Sequence, residues 1–168
     1  MLEYSSTDIF IVKEDNLMNA PSVGNNVIDE HAKLLISSYY RLTGKNLIED
    51  NPLNRGITQA LFNANLVVVS HGNELDPIFN YGNKLALQAF ELSWSDFTAL
   101  PSRLSAKPLD RNEREDLLAR VTKFGFIDDY RGLRISSTGR TFWIEGVTVW
   151  NVIDEDGVNH GQAATFNL

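Results

Sequence analysis

The first clear pattern in the chain is an amphipathic helix near the N-terminus. Apolar side chains recur every three or four residues over residues 30–43, which predicts a helix with a single apolar stripe. Asp29 is its predicted N-cap and Gly44 its predicted stop. Residues 1–28 carry a mixed pattern and are predicted to form a tail, with one short strand at residues 9–12.

The rest of the chain alternates short apolar runs with short amphipathic stretches. The predicted strands are residues 66–70, 78–81, 126–135, 141–153 and 161–166, and the predicted helices are residues 58–63, 84–92, 95–99 and 111–124. This order predicts an α+β fold in which a five-stranded antiparallel sheet carries short helices on one face, with a concave apolar space between them. The chain therefore divides into a tail (1–28), an amphipathic helix extension (29–50) and a domain (51–168).

The long fourth strand has apolar side chains at both its odd-numbered and its even-numbered positions. Trp143 and Trp150 are seven residues apart, so strict alternation places them on opposite faces of the sheet. One face is expected to meet the short helices. The apolar side chains of the other face must be shielded from water, either by residues 30–43 of the same chain or by another subunit. We expect the N-terminal helix to pack on this outer sheet face and to help form a homodimer; the alternative is an intramolecular lid in a monomer.

The charge balance argues against two classes of partner. The 168 residues include 15 Lys and Arg and 22 Asp and Glu, which gives a net charge of -7. Phosphate backbones and anionic membrane surfaces are bound mainly through Lys and Arg, so neither nucleic acid nor a membrane is an expected partner. Arg131, Arg134 and Arg140 form the one candidate basic patch, and exposed charges on a hairpin are the simpler reading.

The chain contains no cysteine. Disulfides, thiolate metal sites, thiol nucleophiles and flavin–cysteinyl photochemistry are thereby excluded. The longest early apolar run, residues 9–12, is too short for a signal-peptide core or a membrane span. We expect a cytoplasmic location, and a cysteine-free sequence agrees with that.

The order of the elements, together with three sequence blocks, resembles the PAS fold. The blocks are residues 79–83 (FNYGN) followed by Ala86 and Phe90, residues 125–134 (GFIDDYRGLR) followed by 138–143 (TGRTFW), and residues 152–157 (VIDEDG) followed by 161–163 (GQA). Each block is common by itself, but their order and spacing together are typical of a PAS domain.

A more specific resemblance is to the MEKHLA domain family, which is related to PAS. The matching blocks are residues 70–72 (SHG), 76–83 (DPIFNYGN), 100–106 (LPSRLSA), 125–130 (GFIDDY), 134–140 (RISSTGR) and 161–164 (GQAA). The string that gives the family its name is absent from this chain. In plants the domain is a C-terminal module of DNA-binding transcription factors, whereas this chain resembles the free-standing bacterial form. The resemblance implies sensing or regulation, without an agreed ligand or catalytic residues.

Six residues are candidates for lining a PAS-like pocket: His71, Asn80, Trp94, Ser136, Trp150 and Gln162. They are polar or aromatic and are predicted on the concave side of the sheet or beside it, although they could equally belong to a filled core. His71 either contacts a ligand as a pH-sensitive group or only bonds a backbone carbonyl at its turn. No catalytic or metal-binding residue is assigned, and the cofactor is unknown.

The resemblance, together with the lack of catalytic motifs, implies a PAS-like sensory or regulatory module that binds a small molecule or a protein partner. A small cavity enzyme of isomerase or hydratase type is the first alternative, and it would need His71 or an aspartate deep in the pocket with a shifted pKa. A purely structural dimerisation domain is the second. No nucleophile elbow or phosphate loop occurs, so the chain is more readily read as a non-enzyme.

Overall fold

The computed structural model of the protein describes residues 26–49, 56–108 and 111–168. The predicted strand at residues 9–12 and most of the predicted tail lie outside these ranges. The helices are α1 (Asn26–Thr43), α2 (Ile57–Phe62), α3 (Lys84–Phe90), α4 (Trp94–Phe97) and α5 (Arg111–Phe124), with a 3₁₀ helix at Ser102–Ser105. The strands are β1 (Val67–His71), β2 (Phe79–Gly82), β3 (Phe126–Ile135), β4 (Thr141–Ile153) and β5 (Asn159–Phe166).

The five strands form one antiparallel sheet in the order β2-β1-β5-β4-β3. Helices α3, α4 and α5 lie between β2 and β3 in the chain and cover one face, which we call the inner face. The α+β fold class, with its five-stranded antiparallel sheet and short helices on one face, is therefore confirmed. Helices α1 and α2 cover the opposite, outer face.

Helix α1 begins three residues before the predicted N-cap. Asp29 lies in its first turn, where its carboxylate accepts a hydrogen bond from the Thr58 hydroxyl of α2. A carboxylate in the first turn is favoured by the helix dipole, so Asp29 stabilises this end from inside the helix instead of capping it. The predicted stop is confirmed, because the Gly44 amide closes the last turn on the Tyr40 carbonyl at 2.8 Å.

The apolar stripe of α1 packs against the outer face of the sheet within the same chain. Leu35 and Tyr39 are buried there beside Trp150. The Tyr39 and Trp150 rings meet edge to face with centroids 4.9 Å apart, and Trp150 Nε1 donates a hydrogen bond to Ser38 Oγ at 3.0 Å. Helix α1 of the same chain therefore shields the apolar side chains of the outer face from water.

A β-bulge in β4 changes which side chains share a face. Ile144 pairs with Gly132 and Val147 pairs with Tyr130, so β4 has one more residue than β3 between these two pairs. Gly146 takes up this extra residue with a φ of 59°, in the left-handed region. Even-numbered side chains of β4 therefore face inward up to Ile144, and odd-numbered side chains face inward from Val147 onward.

This bulge overturns the predicted orientation of the two tryptophans. Before the bulge, Trp143 precedes the inward-facing Ile144, so its own side chain faces outward. After the bulge, Trp150 follows the inward-facing Val149, so its side chain faces outward as well. Both indoles are therefore on the outer face. Only Trp150 is covered by α1, since Trp143 remains 56% exposed.

Candidate functional site

A cavity of about 60 Å³ lies between the inner face of the sheet and α5. A buried water needs about 10–15 Å³ measured in this way, so the cavity has room for roughly four to six water-sized groups. Most of its wall is apolar, and its hydrocarbon side chains belong to Val69, Phe79, Phe90, Leu117, Leu118, Ile144, Val147, Val149, Ala163 and Ala164. Its polar residues include His71, Ser105, Arg114, Tyr130, Arg134 and Gln162.

Two of the six predicted pocket residues meet at this cavity. His71 of β1 and Gln162 of β5 are direct cross-strand neighbours, and both side chains line the cavity. The preceding residue, Gly161, allows the two strands to approach closely. A Cβ atom at Gly161 would lie 1.9 Å from the His71 carbonyl oxygen, so any side chain there would force β5 away from β1.

The imidazole of His71 has one satisfied and one unsatisfied nitrogen. Its Nδ1 lies 2.8 Å from the Gly72 carbonyl oxygen, which can only accept a hydrogen bond, so Nδ1 carries the proton. Its Nε2 is buried and has no hydrogen-bond partner among the described residues. A buried polar atom without a partner carries a free-energy penalty, which makes Nε2 a position where a ligand atom would be stabilising.

The amide of Gln162 is largely committed to holding α5 on the sheet. Its Nε2 lies within hydrogen-bonding distance of the Leu118 carbonyl at 3.1 Å, Thr122 Oγ1 at 3.1 Å and Asn151 Oδ1 at 3.2 Å. Asn151 Nδ2 donates in turn to the Val121 carbonyl at 3.0 Å. Gln162 therefore shapes the cavity wall chiefly by fixing the position of the helix.

Two buried arginines reach the cavity, one from α5 and one from β3. Arg114 and Arg134 are only 8% and 7% exposed. Arg114 donates to Ser102 Oγ at 2.5 Å, and Arg134 donates to the Leu133 carbonyl and the Tyr130 hydroxyl, each at 3.0 Å. Within the described ranges neither guanidinium forms an ion pair with a carboxylate.

The cavity surroundings lower the pKa of two of its basic groups. Burial is the main cause for His71, and the charge of Arg114 lowers its pKa further, while the Gly72 carbonyl and Glu74 act in the opposite direction. Burial, followed by the charge of Arg134, lowers the pKa of Arg114 to about 10. The Arg114 guanidinium therefore stays protonated at neutral pH and keeps a positive charge on the cavity wall.

Two further candidates, Trp150 and Asn80, lie on the outer side of the sheet, away from the cavity. The Gly146 bulge turns Trp150 towards α1, which corrects its predicted position on the concave face. Asn80 occupies an irregularity in the β1–β2 pairing, where its Oδ1 accepts a hydrogen bond from Ser70 Oγ at 2.5 Å. The predicted placement of these two residues in the inner pocket is therefore wrong.

Trp94 and Ser136 also lie apart from the cavity. Trp94 begins α4, and its ring meets that of Tyr81 edge to face with centroids 5.7 Å apart. Ser136 follows β3, and its hydroxyl donates to Glu91 Oε2 at 2.6 Å, which ties the β3–β4 turn to the end of α3. Neither side chain lines the cavity wall.

Sequence reasoning missed the two arginines, although a signal for each was present. Arg114 lies three and seven residues before Leu117 and Val121, on the apolar stripe of α5, where a charged side chain is out of place. Arg134 pairs with Phe142, whose face of the sheet is apolar. The sequence reading grouped Arg134 with exposed charges on a hairpin, and its burial in the structure corrects this.

Residues 29–168 match the MEKHLA domain. The chain belongs to the MEKHLA domain family. Because the match begins at residue 29, it includes nearly all of α1 together with the sheet and the inner-face helices.

A curated relative of this MEKHLA domain is the homeobox-leucine zipper protein ATHB-9 of Arabidopsis thaliana, which is 32% identical over 93 residues. The match covers 54% of this chain but only 11% of the plant protein, so the similarity applies to one module of that protein and not to its full length. The predicted family is thereby confirmed.

Solved structures with a similar fold are PAS domains. One is a PAS domain from Colwellia psychrerythraea, with a TM-score of 0.56 and 15% identity, covering 66% of this chain and 92% of that one. Another is the PAS domain, in complex with ethanol, of a LuxR-family transcriptional regulator from Burkholderia thailandensis, with a TM-score of 0.51 and 17% identity, covering 66% of this chain and 95% of that one. At such low identity these likenesses show the fold, and they confirm it as PAS-like.

The family match and the fold together support the predicted class, a PAS-like sensory or regulatory module, and lend no support to the enzyme alternative. In the part of the chain that the structure describes, no cluster of three or more His, Asp or Glu side chains is arranged to hold a metal ion. No helix within the same ranges has both the length and the apolar character needed to cross a membrane.

Proposed function

We propose that this MEKHLA domain is a sensory or regulatory module whose input is a small molecule bound in the cavity between the sheet and α5. The observation that carries the proposal is the unpartnered, buried Nε2 of His71 on the wall of a largely apolar cavity. Binding sites for small molecules are typically apolar with a few polar groups placed to fix the ligand. The similar domain from Burkholderia thailandensis holds ethanol, a ligand small enough for a cavity of about 60 Å³.

The proposed output surface is α1. Strand β1 carries His71 towards the cavity and Ser70 towards the outer face, where Ser70 Oγ lies 2.9 Å from His31 Nε2 of α1. Ser70 also bonds Asn80 of β2, so α1 is linked by hydrogen bonds to two strands. A ligand that moves the His71 end of β1 would therefore alter the contact between the sheet and α1, which a protein partner could read.

Native and denaturing mass spectrometry of the purified protein test the proposal directly. A ligand retained from the cell appears as extra mass in the native spectrum and disappears on denaturation. We expect either such a mass or, after the protein is incubated with a library of small molecules, at least one specific adduct. A bare protein mass in both cases would contradict the proposal and favour the purely structural reading.

A cavity-filling variant locates the binding site. Ala164 lines the cavity, so Ala164→Met places a flexible apolar side chain inside it. We expect this variant to lose the adduct, with a change in the free energy of unfolding below about 3 kcal/mol. Ala99 is exposed after α4, and Ala99→Met is the matched control that should keep the adduct. Equal adduct formation by the two variants would place the ligand elsewhere.

The predicted homodimer and cytoplasmic location also belong to the proposal. Because α1 covers Trp150, a dimer contact would use aromatic side chains that stay exposed on α1 and on the outer face of β4, namely Tyr40 and Trp143, which are each 56% exposed. Light scattering of the wild type and of Trp143→Ser tests this contact, and a monomeric wild type at high concentration would contradict it. The cytoplasmic location is supported by the cysteine-free sequence.

A further inference from the structure

The cavity is cationic although the chain as a whole is acidic. The net charge of the protein is -7, yet within the described ranges the charged side chains that line the cavity are Arg114 and Arg134. Glu115 and Asp76 raise the pKa of Arg114, but their effects are smaller than those of burial and of Arg134, which lower it. A buried charge without a close counter-charge has lost its hydration without compensation, so an anion inside the cavity would be stabilised.

The two guanidinium groups have hydrogen-bond donors to spare. Each arginine carries five N–H donors, whereas Arg114 makes one hydrogen bond and Arg134 makes two with the described residues. The flat fork of a guanidinium matches a carboxylate, which can accept two parallel hydrogen bonds from it. The charged wall therefore has the donors and the geometry to hold a carboxylate.

The remaining wall limits what can be attached to that carboxylate. It is made of side chains such as Val69, Phe90, Ile144 and Val147, which offer no hydrogen bonds to a second polar group. With room for roughly four to six water-sized groups, the cavity suits a body of only a few carbon atoms. A bare inorganic anion would leave the apolar wall unfilled.

We propose that the ligand is a short-chain organic acid, with its carboxylate held by Arg114 and Arg134 and its apolar body against the hydrophobic wall. This inference rests on the proposed function, since it names the class of ligand that the same cavity takes. Arg114 and Arg134 are thus the residues that determine its specificity, and His71 Nε2 lies ready to bond a hydroxyl donor on the ligand.

Thermal unfolding with a charged and a neutral probe of equal size shows whether binding depends on the charge of the ligand or only on its shape. Sodium butyrate has the proposed carboxylate, butyramide is its neutral counterpart, and sodium chloride at the same ionic strength controls for salt. We expect butyrate to raise the unfolding midpoint in a saturable manner, because a ligand that binds only the folded state stabilises it. Butyramide should have little effect.

The possible results distinguish the two proposals. An equal rise with butyramide would overturn the organic-acid inference and leave the proposed small-molecule site standing. No rise with either probe would also overturn the inference, while the native mass spectra would still decide the proposed function separately. These comparisons use only the wild-type protein, so they hold even where a variant fails to fold.

Two arginines of β3 supply a matched pair of variants. Arg134→Gln removes a charge from the cavity wall, and Arg131→Gln removes the same charge from an exposed ion pair with Glu145. We expect Arg134→Gln to weaken butyrate binding roughly 10- to 100-fold, as for loss of a hydrogen bond to a charged group, and Arg131→Gln to leave it unchanged. Folded Arg134→Gln that binds butyrate as the wild type does would overturn the inference.

Discussion

Ser70 and His71 are consecutive residues of β1, yet the Ser70 hydroxyl contacts His31 of α1 at 2.9 Å on the outer face while the His71 ring lines the cavity on the inner face. Successive side chains of a strand point to opposite faces, so a single peptide step joins the two sides of the sheet. Because both residues are buried, neither can move far without moving the other. The proposed link between the cavity and α1 follows from this pair.

Acidification is expected to destabilise the domain through His31. Burial, and to a smaller extent the charge of His160, lower the pKa of His31 from its ordinary value of 6.5 to about 4. Between these pH values the unfolded chain binds a proton that the folded state does not. The stabilisation is therefore complete above pH 6.5 and is lost as the pH falls towards 4, by at most about 3 kcal/mol.

Urea unfolding at a series of pH values measures this dependence. The His31→Gln variant keeps a hydrogen-bonding nitrogen but cannot titrate, so its stability should fall less steeply over the same pH range. Some slope should remain, because the pKa of His71 is also lowered by burial. The same slope in the wild type and in His31→Gln would show that His31 is not the group responsible.

The two tryptophans of β4 should differ widely in their contribution to stability. Trp150 is fully buried beneath α1, whereas Trp143 is 56% exposed with the Arg131 guanidinium 4.1 Å from its ring centroid. We expect Trp150→Ala to lower the free energy of unfolding by about 3–5 kcal/mol and Trp143→Ala by less than about 1 kcal/mol. Equilibrium unfolding in urea measures both, and similar losses would contradict the assigned cover by α1.

The elements of the fold were largely predictable, because hydrophobic periodicity reports local structure. The bounds of β3 and β4 agree with their predicted ranges. Asn83 caps α3 by accepting a hydrogen bond from the Ala86 amide at 3.2 Å, as its position before an apolar helical stretch suggests. The side-chain directions along β4 were not predictable in the same way, since one inserted residue at Gly146 reverses the alternation beyond it.

The same limit explains which parts of the candidate site were found. His71 and Gln162 pair with each other in the unbroken register between β1 and β5, so simple alternation along these strands gives their inner-face positions. Trp150 follows the bulge and was misplaced. Arg114 and Arg134 were missed because charged side chains are usually exposed. Their burial beside the cavity is visible only in the folded structure.

The left-handed backbone at Gly146 gives a direct test of the bulge. A Cβ atom there would meet no other atom within 4 Å, so a substitution acts through the backbone alone. We expect Gly146→Ala to lower the free energy of unfolding by about 1–2 kcal/mol, and Gly146→Asn by less, since asparagine adopts this conformation more readily. Urea unfolding compares the two, and an alanine variant as stable as the wild type would argue against the bulge.

A small-molecule site on the inner face is tested most directly by mapping backbone amide shifts in a two-dimensional NMR titration with butyrate and with butyramide. We expect the largest shifts with a bound probe at the cavity, around His71, Gln162 and Arg134, and smaller shifts from Ser70 to α1. Shifts confined to the outer face or to exposed loops, with the cavity amides unchanged, would contradict it.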